Sequence, residues 1–96
     1  MYAVIFRAKL RHLDDEYGEM AAKLRALAFE SYHCLDFTAL TEGDNEIAIS
    51  YWSSLEDIKR WRDDPIHAEA QKIGAQRWYE HYQVEVVEVA RRYQSS

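Results

Sequence analysis

Hydrophobic and polar positions change period several times along the chain, and each change marks an element. Residues 2–10 open on Tyr2-Ala3-Val4-Ile5-Phe6, β-branched and aromatic with no helix cap before them, which predicts a strand. Residues 14–29 switch to helical spacing. Tyr17, Met20, Ala21, Leu24, Leu27 and Ala28 form one apolar stripe. Asp14 suits the N-cap, and Asp15 and Glu16 suit the positive end of the helix dipole. Residues 33–41 alternate, with His33, Leu35, Phe37 and Ala39 opposite Cys34, Asp36, Thr38 and Leu40. Glu42-Gly43-Asp44-Asn45 is turn chemistry. Residues 46–52 alternate again, with Ile47, Ile49 and Tyr51 opposite Ala48, Ser50 and Trp52. Two alternating runs around a glycine turn predict a hairpin.

The second half reads as a helix pair and a strand. Ser53 and Glu56 have the spacing of a capping box, with Leu55, Ile58 and Trp61 expected inward. Asp64-Pro65 restarts the helix, with Asp64 as cap and Pro65 in the first turn. This helix is expected to run to about Tyr79. Ile66, Ala70, Ile73 and Arg77 lie on one stripe; His67, Gln71, Gly74 and Trp78 lie on the next. Residues 81–93 predict a long last strand, with Val84 and Val86 on one face and Val87 and Val89 near the other.

The order strand, helix, strand, strand, helix pair, strand is the split βαβ pattern of an α+β, ferredoxin-like fold. It predicts a single domain over residues 1–96: a four-stranded antiparallel sheet with helices on one face. A domain this short buries only ~60–65% of its unfolded surface. Yet 48% of the residues are hydrophobic and 14% aromatic. That surplus predicts a homodimer, with a second sheet packed on the face the helices leave bare.

Charge and cysteine content narrow the function. A formal net charge of −5 with no basic stripe argues against nucleic acid as a partner. No stretch is apolar for long enough to span a membrane, and no secretory leader pattern opens the chain, so the expected location is the cytoplasm. Cys34 is alone, and it reads as a small buried hydrophobe. His12, His33 and His81 lack metal-ligand spacing, and no phosphate-binding glycine loop is present.

The run Tyr51-Trp52-Ser53-Ser54-Leu55-Glu56-Asp57-Ile58-Lys59-Arg60-Trp61-Arg62, followed by Pro65-Ile66-His67, Ala70-Gln71, Gly74 and Trp78-Tyr79, resembles the antibiotic biosynthesis monooxygenase family. The resemblance implies a dimeric α/β-barrel: two sheets packed face to face, each subunit holding a pocket between sheet and helices. Some members oxygenate quinols or polycyclic phenols without metal or flavin, and others bind and degrade heme. Trp52 matches the strand-end Trp of the cofactor-free enzymes. Where those enzymes carry a partner Asn and Tyr, this chain has Ala48 and Ile58. Trp61 matches the helix Trp of the heme-degrading branch. Where that branch has an iron-binding His and a first-strand Asn, this chain has Gln71 and Arg7.

Three functions stay open at this point. The first is a cofactor-free monooxygenase acting on an electron-rich aromatic. His67 would be the base, since an imidazole titrates near neutral pH. Arg77 or Arg7 would be the charge partner. Trp52, Trp61, Tyr51, Gln71 and Trp78 would line the pocket. The second is a dimer that binds an apolar ligand without turnover. The third is a heme protein, with His67 standing in as the ligand. For His67 an ordinary ion pair with Asp63 or Asp64 is the plain alternative, and for Arg77 a surface or interface salt bridge. Tyr51, Tyr79, Tyr82 and Tyr93 read as core or interface residues.

Overall fold

The computed structural model describes residues 1–95. Its elements are β1 (Tyr2–Leu10), α1 (Asp15–Ser31), β2 (Asp36–Glu42), β3 (Asn45–Trp52), α2 (Leu55–Asp63), α3 (Pro65–Ile73), a π-helical turn (Gly74–Trp78) and β4 (Tyr79–Glu88). The strands form one antiparallel sheet in the order β2-β3-β1-β4. This is the expected ferredoxin-like fold, and the helices lie on one face of the sheet. No helix is long and apolar enough to cross a membrane among the described residues.

Local chemistry explains most boundaries. The Asp14 carboxylate accepts from the Tyr17 amide at 2.9 Å and starts α1. α1 ends where His33 takes a positive φ of 63°. That reversal lets the Cys34 amide donate back to the Ala28 carbonyl at 3.0 Å. Cys34 then packs into the core, and β2 begins at Asp36 rather than at residue 33. Gly43, at φ 60°, makes the tight turn that joins β2 to β3, with Glu42 paired to Asn45.

Three expectations on the second half are corrected. The cap of α2 is Ser54, whose hydroxyl accepts from the Asp57 amide at 3.1 Å, not Ser53. That shift turns Leu55 outward, and it is exposed. Asp64 caps α3 as expected, accepting from the Ile66 amide at 2.8 Å. The helix does not run on to Tyr79, because a π-turn takes over at Gly74. β4 therefore starts at Tyr79 and ends at Glu88, not at residues 81 and 93.

The register sorts side chains onto two faces. Tyr2, Val4, Phe6, Ala48, Ser50, Trp52, Phe37, Ala39, Tyr82, Val84 and Val86 share the face toward the helices. Ala3, Ile5, Arg7, Ile47, Ile49, Tyr51, Thr38 and Leu40 share the other, on which no helix packs among the described residues, although Ala3 is buried and Arg92 lies over Tyr51. Leu40 is 72% exposed and Ile47 44%. The core sits at one end of the sheet, where Val4, Ala28, Cys34, Trp52, Ile58 and Trp61 pack together.

Candidate functional site

Between α1, α3 and the sheet lies a cavity of about 370 Å³. That is within the ~300–1,000 Å³ of small-molecule sites. Small side chains floor it, since Ala39 and Ala48 face each other across β2 and β3. Val4, Phe6, Val84 and Val86 continue the floor, and Met20, Ala21 and Leu24 of α1 roof it.

Trp61 holds one end. Its indole Nε1 donates to the Leu24 carbonyl at 3.1 Å, which ties α2 to α1. Its ring lies 5.2 Å from the Trp52 ring and meets Phe37 edge-on at 6.2 Å. His67 meets Trp61 edge-on as well, with centroids 4.5 Å apart. The placement of His67 follows from the α3 cap. The Tyr32 hydroxyl donates to Asp64 at 2.7 Å, pinning the start of α3 to the end of α1. His67 then falls one turn into α3, facing the cavity. Burial pushes its pKa below the usual imidazole range; its own backbone opposes this, the Arg62 charge adds to it, and Asp64 opposes it least. Its Nδ1 is buried and makes no well-formed hydrogen bond among the described residues. Gln71 lies one turn further along the same wall.

The opposite end is built from residues that sequence reasoning passed over or assigned to packing. Tyr17, Tyr79, Tyr82 and Glu46 all line it. Glu46 is only 7% exposed and accepts a short hydrogen bond from the Thr41 hydroxyl. Tyr79 and Tyr82 share a face because the register slips between Lys9 and Leu10: Lys9 pairs with His81, but Leu10 pairs with Tyr79. That bulge brings an additional aromatic inward. Burial pushes the Tyr17 phenol up to about 12, with the Glu46 charge adding to the shift. Tyr79 is raised further for the same first cause. One signal for Glu46 was present in the chain: it has the strand parity of Ala48, Ser50 and Trp52, so it had to face the helices.

Among the expected site residues, His67, Trp61, Gln71 and Trp78 are brought together on the cavity wall. Trp52 is fully buried beneath Trp61 and donates to the Ser50 hydroxyl at 2.9 Å, so it backs the wall without lining it. Tyr51 is on the bare face of the sheet, with the Arg92 guanidinium 5.1 Å from its ring. Arg7 points to that face too. Arg77 lies outside the cavity, paired with Glu16 at 2.6 Å and with Asp14 at 3.9 Å. A charge partner for the cavity must come from elsewhere. Arg25 and Arg62 stand at its edge.

No family model matches the chain. The protein YqjZ of Bacillus subtilis (strain 168), described as uncharacterized, is 37% identical over 92 residues, spanning 95% of this chain and 81% of YqjZ. The chain belongs to the YqjZ family. Solved structures extend the likeness of this YqjZ-family chain to fold. SnoaB, a cofactor-independent oxygenase from Streptomyces nogalater, superposes with a TM-score of 0.80 at 12% identity, over 98% of this chain and 97% of SnoaB. A candidate antibiotic biosynthesis monooxygenase from Nitrosomonas europaea gives 0.78 at 10% identity, over 95% and 100%. A dimeric ferredoxin-like protein of unknown function from Bacteroides fragilis gives 0.70 at 20% identity, over 92% and 95%. The YqjZ-family chain thus has the fold of the antibiotic biosynthesis monooxygenases.

Proposed function

We propose that this chain is an oxygenase that binds a planar, electron-rich aromatic, such as a hydroquinone or polycyclic phenol, in the cavity between helices and sheet. It acts without a resident cofactor, as a homodimer joined through the bare face of the sheet. The observation that carries this reading is His67: a half-buried imidazole whose Nδ1 has no partner among the described residues, on the wall of a largely apolar, aromatic cavity. The likeness in fold to a cofactor-independent oxygenase supports it.

The chemistry needs little from the protein. Neutral His67 accepts the phenol proton at Nδ1. The phenolate passes one electron to O₂, and the resulting radical pair joins to give a ring hydroperoxide. Loss of water from that carbon leaves a carbonyl. A hydroquinone plus O₂ thereby gives a hydroxyquinone plus water; one oxygen atom enters the ring and the other leaves reduced. The Gln71 amide can donate to the oxygen where negative charge develops, and Trp61 forms a flat wall. Heme is the weaker fit, because Gln71 replaces an imidazole with an amide that is a poor iron ligand.

One observation favours a second reading, an apolar-ligand carrier without turnover. Ala48 and Ile58 both line the cavity, as apolar wall where the cofactor-free enzymes carry polar groups. Oxygen uptake separates the two. Metal-free protein should consume O₂ with hydroquinones or dihydroxynaphthalenes, unaffected by chelators, and His67→Ala should abolish the uptake. Ligand binding with no uptake above autoxidation would replace the oxygenase with the carrier.

A further inference from the structure

The two ends of the cavity differ in chemistry and stand well apart. Glu46 and Trp52 sit at opposite ends of β3, six residues or ~20 Å of extended strand apart. His67 belongs to the Trp52 end through Trp61. Tyr17 and Tyr79 belong to the Glu46 end. Tyr79 packs against Phe6 at 5.4 Å and Tyr82 at 5.6 Å, and Tyr17 meets Tyr79 edge-on at 6.3 Å.

This second end is built, not incidental. In one row across the sheet Glu46 pairs with Ala8, and Ala8 pairs with Tyr82, so the two flank a small residue on the same face. The Tyr79 ring lies where a Cβ on Gly74 would stand, so the absence of a side chain there admits it. A buried carboxylate needs donors, and Thr41 is the only side chain that donates to Glu46 among the described residues. Glu46 lines the cavity and keeps lone pairs beyond the one Thr41 engages.

We propose that Tyr17, Tyr79 and Glu46 form a second polar subsite that selects a neutral ligand hydroxyl, its O–H donating to the Glu46 carboxylate and its oxygen accepting from a tyrosine. The chain then takes elongated aromatics hydroxylated at the end remote from His67. It rejects those with a carboxylate there, because two carboxylates in a buried site repel. The phenols suit the role, since a tyrosine hydroxyl is protonated and able to donate at neutral pH, and burial only pushes its pKa further up. The inference rests on the reading that the cavity binds an aromatic, and not on oxygenation.

Titration calorimetry on the full chain with three probes tests it: anthracene, 2,6-dihydroxyanthracene and anthracene-2,6-dicarboxylate. Wild type should bind the diol about 10-fold or more tighter than the parent hydrocarbon and should not bind the dicarboxylate. Glu46→Gln should weaken the diol by about 10-fold, leave the parent unchanged and admit the dicarboxylate. Tyr17→Phe should weaken the diol alone. Equal weakening of diol and parent in Glu46→Gln, or a wild type that binds the dicarboxylate as well as the diol, would overturn the subsite. The wild-type comparison decides even where a variant does not fold. Binding of the diol without O₂ uptake would remove the oxygenase reading and leave the subsite standing.

Discussion

Gly74 and Tyr79 are so close that a Cβ on Gly74 would lie 2.4 Å from the Tyr79 ring. The contact joins the π-turn to the first residue of β4, and it is what seats the Tyr79 ring in the cavity. Gly74→Ala must move the ring or the turn. The expected loss is ~1–3 kcal/mol of stability, as for overpacking elsewhere. Combining it with Tyr79→Ala should cost less than the sum of the two single changes, because the clash goes with the ring. Urea denaturation of the four proteins measures this, and simple additivity would refute it.

His67 should make stability depend on pH in a definite direction. Its folded pKa is lowered by burial, so between that value and the unfolded value near 6.5 the unfolded chain binds the extra proton. Stability then falls as pH drops below ~6.5, and the loss levels off once the folded imidazole also protonates. His67→Gln removes this slope. The wild-type and variant denaturation midpoints should run parallel above pH 7.5 and diverge below 6.5, with wild type falling faster. Parallel curves throughout would mean that the imidazole is not desolvated.

Arg77 is half-exposed, and its partners Glu16 and Asp14 are on the first turn of α1 and its cap. Exposed pairs contribute little, because water and salt screen them. Arg77→Ala should therefore lower stability only slightly, by an amount that shrinks further at high salt. Affinity for an aromatic ligand should not change. A tenfold loss of affinity on calorimetry would bring Arg77 back into the cavity.

The bare face of the sheet should govern assembly. Ile47 sits beside Arg7 in the register and is flanked by exposed Leu40. Ile47→Lys places two like charges side by side on that face. Light scattering should show a dimer for wild type and a monomer for the variant. A wild-type monomer, or a variant dimer of unchanged affinity, would move the interface elsewhere.

Much of this was readable from residue order, and the failures have physical causes. Asp14 and Asp64 each announce a helix because a carboxylate before a helical run has little else to bond but the free amides. The hairpin is readable because Gly43 supplies the positive φ its turn requires. Ser53 and Ser54 were ambiguous because two adjacent hydroxyls offer the same chemistry one residue apart, and that one residue decided where Leu55 points. The π-turn was hidden because its residues keep a helical apolar spacing up to Trp78. With it went the true start of β4 and the inward placement of Tyr79. Trp52 and Tyr51 show the limit of alternation alone. Parity separates their faces correctly, but it does not say which neighbours stand between a buried ring and the cavity.

The sheet order has a consequence for how the chain is made. β1 is synthesised before both its partners yet ends in the interior of the sheet, between β3 and β4. Of its partners, β3 is synthesised some 35 residues later and β4 some 70 residues later. For most of translation one or both of its edges are bare, and Tyr2-Ala3-Val4-Ile5-Phe6 is an apolar, β-prone stretch with no charge to guard it. Closure of the sheet waits on the most distant residue pair of its ladders, Tyr2 with Glu88. Folding of this small domain should accordingly be slow for its size, and nascent chains cut short before β4 should be the species that chaperones hold.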